Sequence, residues 1–197
     1  MTARRLVLAS ASPARLRLLT QAGFAPEVFV SGVDEDAITA PDATSLVLAL
    51  ATAKASAVAQ SAAGPIVIGC DSLLDVDGAV HGKPIDAAEA KARLQRLRGQ
   101  AAVLRTGHCV IDSADGRCAR AVASTTVRFG DYDDLELDAY LATGEPLAVA
   151  GAFTLDGYSA PFIAGVDGDP SNVIGLSLPL FRTLLRELDV QVRDLWA

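Results

Sequence analysis

The sequence contains little of what several large classes of protein depend on. Its three cysteines, Cys70, Cys109 and Cys118, form no CxxC pair and no metal-ligand spacing, so we expect reduced, buried thiols. No apolar run approaches the roughly 20 residues that span a bilayer. Residues 1–7 lack the long apolar segment of a signal peptide. Basic residues number 17 against 24 acidic ones, a net charge of −7 that argues against a nonspecific nucleic-acid or membrane surface. We therefore expect a cytoplasmic protein that binds neither nucleic-acid polymers nor membranes.

The chain does have enough apolar sequence for a large core. Hydrophobic residues make up 51% of its 197 residues, which suits a substantial α/β domain and argues against disorder. No repeat, linker or low-complexity tail divides residues 1–197. We therefore expect a single domain.

Hydrophobic patterns and turn signals predict strands that alternate with helices. Predicted strands cover residues 5–9, 26–31, 66–70, 73–76, 79–80, 102–112 and 117–129, and predicted helices cover residues 13–22, 44–62, 86–99, 133–142 and 180–188. Residues 144–178 indicate loops and short strands. Hairpin signals at Asp77-Gly78 and Asp115-Gly116 interrupt the alternation. The fold class we expect is therefore α/β, with a mixed twisted sheet and flanking helices.

The most informative motif follows the predicted strand at residues 66–70. Asp71 ends that apolar run, and a carboxylate at such a strand end points into the crevice where open α/β sheets bind ligands. Lys83 comes one hairpin later, between Gly82 and Pro84. Together the two side chains can place a divalent cation and an ammonium against a polyphosphate. Turn chemistry alone also places Asp at strand ends, so both interpretations stay open here.

Ser10, Ser12 and Arg15 lie at a predicted strand-to-helix turn. Free N–H groups at a helix start attract anions, and the hydroxyls and the guanidinium add donors. An ordinary N-cap at Ser12, followed by Pro13, explains the same residues. The turn is therefore both a candidate anion site and a candidate cap.

Three further groups are open to two interpretations each. Glu35 lies in an acidic run that either holds a cation or forms a solvated loop. Lys54, in an alanine-rich helix, faces either solvent or the ligand crevice. His108 is an acid/base candidate, but its apolar strand neighbours favour a structural histidine.

In their order and spacing, these segments resemble the Maf family of nucleoside triphosphate pyrophosphatases. The matching motifs cover almost the whole chain and lie at residues 8–15, 33–35, 53–55, 69–72, 82–84, 97–99, 106–107, 140, 144–145, 150–153, 168–169 and 172–176. The resemblance implies two lobes around a central cleft, often in a homodimer. It also implies hydrolysis of nucleoside triphosphates to the monophosphate and pyrophosphate, with Mg²⁺ or Mn²⁺ as the divalent metal.

The resemblance further implies roles for individual residues. Asp71 matches the family's proposed proton acceptor, and other matching residues line the triphosphate and metal site. The resulting predictions are catalytic roles for Asp71, Lys83 and Lys54, substrate contacts from Ser10, Ser12, Arg15, Ser72 and Asp156, and a metal held by Glu35 and Asp71.

Three residues depart from the commonest family pattern at positions that match its specificity set. Ala14 stands where many members have arginine, Ser72 where threonine or glutamine is usual, and Asp156 where glutamine or glutamate is usual. An acidic Asp156 near the base favours rings that present N–H donors, such as guanine or 7-methylated guanine. The smaller Ala14 and Ser72 leave room for a purine.

Two other functions stay open alongside the pyrophosphatase. One is a house-cleaning hydrolase of the inosine-triphosphatase type, which differs in its choice of base. The other is a regulator of septum formation in cell division that binds nucleotide without turnover. Asp71, Lys54 and Lys83 together favour turnover, because a pure binder does not need a carboxylate that aims water.

Overall fold

The computed structural model describes residues 4–61 and 64–197, and the strands of that part form one mixed sheet. The seven strands are β1 (Leu6–Leu8), β2 (Glu27–Val28), β3 (Ile66–Val76), β4 (Ala79–His81), β5 (Ala101–Asp112), β6 (Cys118–Phe129) and β7 (Ile163–Asp167). Their order is β2-β1-β3-β5-β6-β7, and β4 also pairs with β3. β1 runs parallel to β2 and β3, whereas the other pairs are antiparallel. The predicted mixed sheet is confirmed.

The α-helices of the described part begin mostly where capping chemistry predicts. They are α1 (Pro13–Gln21), α2 (Ala43–Ala59), α3 (Ala87–Leu97), α4 (Asp134–Ala142), α5 (Pro170–Ile174) and α6 (Leu178–Glu187). Ser12, Asp86 and Asp133 each accept a backbone N–H from three residues on, as N-caps do. α6 begins at Leu178 rather than Leu180, because Ser177 caps it.

Two parts of the sequence-based expectations fall outside what the structure describes. These are Ala62, the predicted end of the second helix, and residues 1–3 of the N-terminal segment. Over residues 4–61 and 64–197, no helix combines the length and the apolar character needed to cross a membrane.

Alternate side chains of the central strands enter two separate apolar layers. Leu8 and Ile68 pack with Phe181 and other residues of α1 and α6 on one face of the sheet. Val67 packs with Ala55 and other residues of α2 on the opposite face. A third cluster surrounds the far ends of β3, β5 and β6 and includes residues of α3 and α4. The division into two lobes around a cleft stays a prediction.

The course of β3 corrects the expected position of Asp71. The predicted strand ends at Cys70, whereas β3 continues through Asp71 to Val76. β5 pairs with β3 from Ile66 to Asp75 without a break, and this ladder keeps the backbone extended past the aspartate. On the other edge of β3, β1 pairs with residues 66–68 and β4 with residues 74–76. Asp71 therefore lies in a gap between two partner strands.

Two glycines let α2 approach the sheet beside Asp71. Gly69 lies two residues earlier on the same face, and Gly107 of β5 lies directly opposite Asp71. A Cβ at Gly69 would be 2.4 Å from the Ala51 carbonyl oxygen, and one at Gly107 would be 2.1 Å from that of Val47. Both distances are far below van der Waals contact, so any side chain at these positions would push the α2 backbone away.

The cysteines follow the expectation only in part. Cys70 and Cys109 are buried, and burial raises the pKa of each thiol to about 12. Cys118 is exposed, contrary to the expectation, because it begins β6 at the rim of the sheet. Its Sγ lies 3.4 Å from that of Cys109.

Candidate active site

Lys54 joins two carboxylates at the gap between β1 and β4. Its Nζ donates to Asp71 Oδ1 at 2.6 Å and lies 2.8 Å from Glu35 Oε1. The side chains of Lys54 and Asp71 are 9% and 11% exposed, whereas that of Glu35 is 53% exposed. The ammonium therefore lies between a buried carboxylate of β3 and an exposed one in the loop before α2. Of the two interpretations of Lys54, the solvent-facing position is wrong, because the ammonium is buried beside Asp71. That this position belongs to a ligand crevice stays a prediction.

Burial raises the pKa of Asp71 above that of an ordinary aspartate. The nearby Lys54 and Arg15 lower this pKa, because they stabilise the charged carboxylate, while Glu35 raises it further. The effect of burial is the largest of these. A carboxylate whose pKa is raised in this way accepts a proton more readily than a free one, which suits a general base.

Arg15 forms a second polar centre beside Asp71. This buried guanidinium donates from Nε to the Gly175 carbonyl at 2.7 Å, from Nη1 to Ser10 Oγ at 3.1 Å and from Nη2 to Ser72 Oγ at 3.0 Å. All three acceptors are neutral, and Arg15 forms no ion pair with any carboxylate of the described residues. A buried cation of this kind favours an anion beside it.

Ser12 serves as the cap of α1 and shapes the turn that holds Arg15. Its Oγ accepts the backbone N–H of Arg15 at 3.4 Å, and its own N–H donates to Ser10 Oγ at 3.2 Å. The cap interpretation is therefore confirmed. Because Ser10 bonds both the turn and the guanidinium, the start of α1 and the charge of Arg15 lie together.

Lys83 and Asp156 lie apart from these two centres. Lys83 is exposed in the turn between β4 and α3, and no ion pair of the described residues includes it. Asp156 Oδ2 lies 3.2 Å from Nη2 of Arg17, a residue of α1 for which no role was predicted. The structure therefore brings Ser10, Arg15, Lys54, Asp71, Ser72 and Glu35 together, while the predicted roles of Lys83 and Asp156 require a ligand that extends beyond that group.

Comparison with known proteins identifies the family of the chain. A family model described as Maf-like protein matches residues 5–188. The chain belongs to the Maf family.

Relatives named nucleoside triphosphate pyrophosphatase match it over nearly their full length. One from Streptomyces coelicolor is 64% identical over 196 residues, covering 98% of this chain and 95% of the relative. One from Salinispora tropica is 53% identical over 199 residues, covering 98% and 88%. One from Synechocystis is 50% identical over 190 residues, covering 96% and 97%. The family resemblance predicted from the motifs is confirmed.

The residues that can hold a metal in this Maf-family chain are few. Across the part of the chain that the structure describes, no three His, Cys, Asp or Glu side chains form a metal-binding cluster. Glu35 and Asp71 are nevertheless two hard oxygen donors that converge on one ammonium. Mg²⁺ commonly takes one or two carboxylates and completes its shell with waters and substrate phosphates. The donor set therefore fits a metal that binds together with a phosphate ligand.

Thr106 extends the Arg15 centre into the core, although the sequence assigned it no role. It lies opposite Ser72 in β5, and the two hydroxyl oxygens are 2.9 Å apart. Thr106 Oγ1 also donates to the Asn172 carbonyl at 3.4 Å, and the buried Asn172 amide donates to the Leu104 carbonyl at 3.2 Å. Both residues lie in family motifs, and that is the signal that marks them.

His108 joins the sheet to the start of α6. Its Nδ1 lies 3.0 Å from the Thr106 carbonyl oxygen, and its Nε2 accepts the Ser177 N–H at 2.8 Å. A carbonyl can only accept, so the ring is neutral with its proton on Nδ1. Burial lowers the pKa of His108 to about 4. The interpretation as a structural histidine is confirmed.

Proposed function

We propose that this chain hydrolyses nucleoside triphosphates to nucleoside monophosphate and pyrophosphate. The observation that carries the proposal is the adjacency of two centres: Ser72, bonded to the buried Arg15, directly follows Asp71, bonded to Lys54. A triphosphate supplies the anion that Arg15 favours, and hydrolysis needs a proton acceptor beside the attacking water. The names of the relatives support the same activity.

In the proposed reaction, Asp71 orients a water molecule and accepts its proton while the water oxygen attacks the α-phosphorus. The bond from that phosphorus to the bridging oxygen breaks, and pyrophosphate leaves with the electron pair. Lys54 engages Oδ1 of Asp71 and leaves Oδ2 to face the water. Arg15 binds phosphate oxygens through its remaining N–H groups, and Lys83 adds charge from the turn between β4 and α3.

Glu35 and Asp71 are the residues that would hold Mg²⁺ or Mn²⁺ in this site. When bound, such a cation supplies positive charge against the phosphate oxygens. Glu35 is the more adaptable of the two ligands, because its side chain is half exposed and lies in a loop. A homodimer and a cytoplasmic location also stay predictions.

Pyrophosphate release across a panel of common and modified triphosphates tests the proposal. Asp71→Asn should lose about 10²–10⁴-fold in kcat, because the amide cannot accept the proton. Asp36→Asn, an exposed residue beside Glu35, is the matched control and should keep full activity. Excess chelator should stop turnover, and Mg²⁺ should restore it.

Two results would contradict the proposal. Asp71→Asn activity within a few-fold of the parent chain would remove Asp71 from the mechanism. Tight nucleotide binding with no product release would support a nucleotide-binding regulator instead of an enzyme.

We also propose that Asp156 favours a purine base with N–H donors. The carboxylate is paired with Arg17, so a base must compete with an exposed ion pair, which is a weak interaction.

A further inference from the structure

The turn that carries Lys83 is tied at both ends to one helix. The Gly82 carbonyl accepts from Arg93 Nη1 at 2.6 Å and from the Gly151 N–H at 3.1 Å. At the other end of the turn, the Ile85 N–H donates to Glu89 Oε2 at 2.8 Å. One side chain of α3 therefore holds the residue before Lys83, and another holds the second residue after it.

Arg93 and Glu89 are also bonded to each other. Arg93 Nη2 donates to Glu89 Oε1, and the two residues lie one helical turn apart. The pair is therefore one connected unit with a contact on each side of Lys83. We propose that this pair, the α3 clamp, positions Lys83 toward the phosphates of the substrate. The inference rests on the proposed function, and it assigns Arg93 and Glu89 as positioning residues.

Arg93 breaks the pattern of the helix on which it lies. It is 7% exposed and shares the buried face of α3 with Ala90, Leu94 and Leu97, where helical periodicity predicts an apolar residue. Its Nε is buried and has no hydrogen-bond partner among the described residues. A buried N–H without a partner is destabilising. A residue that breaks the apolar pattern of a helix face and destabilises the fold in this way is typically one retained for function.

Besides the clamp, the Gly151 N–H holds the Gly82 end of the turn, whereas the Ile85 end has little apolar packing. Pro84 is buried and anchors the middle, but the Ile85 side chain is 93% exposed, so apolar packing does not hold that end. Beside the turn lies a pocket of about 120 Å³ lined partly by His81, Glu89 and Arg93. Loss of the clamp therefore leaves room for the turn to move and for Lys83 to point elsewhere.

Arg93→Met tests the clamp, because methionine keeps the apolar stem and removes both hydrogen bonds. We expect kcat/KM for triphosphate hydrolysis to fall about ten- to hundredfold, the scale of a misplaced binding group. Lys83→Ala should cause a similar fall, and the double variant should be no worse than Lys83→Ala alone. Arg96→Met is the matched control, since Arg96 lies on the same helix and lines the same pocket but is exposed.

Glu89→Ala provides a second variant that does not alter the buried face of α3. Amide hydrogen exchange gives a readout independent of catalysis: the Ile85 amide should exchange faster in Glu89→Ala and in Arg93→Met than in Arg96→Met. Arg93→Lys should restore part of the activity, because an ammonium reaches one acceptor where a guanidinium reaches two.

Three results would overturn the inference. They are parental kinetics in Arg93→Met and Glu89→Ala, additive losses in the Arg93→Met/Lys83→Ala double variant, and unchanged exchange at Ile85. If the parent chain hydrolyses no triphosphate, the proposed function fails, and the catalytic role of the clamp fails with it. Faster exchange at Ile85 would then show only that the clamp holds the turn.

Discussion

Replacing Lys54 with methionine should expose the electrostatic cost of the buried Asp71 carboxylate. The substitution keeps most of the apolar stem and removes the ammonium that lies 2.6 Å from Asp71 and 2.8 Å from Glu35. Removing one partner of a buried ion pair costs about 3–5 kcal/mol. Because the Asp71 side chain is 11% exposed and Arg15 also lowers its pKa, we expect the lower end, a loss of about 3 kcal/mol in the free energy of unfolding near pH 7.5.

Replacing Asp71 instead of Lys54 should lower the free energy of unfolding by less, because the site is asymmetric. Asp71→Asn leaves Lys54 with Glu35 as its ionic partner, and the amide oxygen still accepts from the ammonium. We expect a loss of about 1 kcal/mol, the scale of one weakened hydrogen bond. The double variant removes both buried charges, so its loss should be smaller than the sum of the two single losses.

The cost of Lys54→Met should also depend on pH in a defined direction. Burial already raises the pKa of Asp71, and without Lys54 the folded-state pKa must rise further. The folded chain then binds this proton more tightly than the unfolded chain does. Stability is therefore retained at low pH and lost as the pH rises through that raised pKa. The difference from the parent chain should shrink on going from about pH 7.5 to about pH 5.

Urea denaturation followed by circular dichroism measures these differences at both pH values. Lys91→Met is the control, because Lys91 forms a more exposed ion pair with Asp138 and should change stability by less than about 1 kcal/mol. A cost for Lys54→Met that is the same at both pH values, or smaller than that of Asp71→Asn, would refute the reasoning.

Three further predictions concern other parts of the site. The acid limb of the pH profile of kcat/KM should report a pKa above that of an ordinary aspartate, because burial raises the pKa of Asp71. A profile whose acid limb lies at about 4 would contradict this. Gly107→Ala should destabilise the fold by about 3 kcal/mol or more in urea denaturation, since the new Cβ meets the Val47 carbonyl, and parental stability would show that α2 can shift. Arg17→Gln should strengthen the preference for guanine triphosphates in kcat/KM by releasing Asp156, and an unchanged base preference in this variant would place Asp156 away from the base.

Local sequence patterns predicted those features of the fold that depend on residues close together in the chain. The cap at Ser12, the helix starts predicted at residues 86 and 133, and the long hairpin of β5 and β6 lie close to their predicted positions, because each depends on neighbouring residues. The course of β3 past Asp71 could not be predicted in this way. It depends on pairing with β5, whose register along the strand no local pattern specifies.

The direction in which the Lys54 side chain points is a second feature that local sequence patterns could not predict. Its helix has no clear polar and apolar faces, so periodicity does not choose between solvent and crevice. The choice is made by Gly69 and Gly107, which admit the α2 backbone above Asp71. The pairing of Arg17 with Asp156, two residues 139 positions apart, also depends on the tertiary fold alone.

The two glycines beside Asp71 also determine which parts of the site can move. Because α2 lies directly on β3 and β5, we expect Lys54 and Asp71 to form one rigid wall and to keep their distance whether or not a ligand is present. Glu35 and Lys83 lie in connecting segments, which this contact between helix and sheet does not hold in place. Superposed structures with and without nucleotide should therefore coincide at Lys54 and Asp71 and differ at Glu35 and Lys83. An inhibitor shaped to the rigid wall would meet the same surface in every state of the protein.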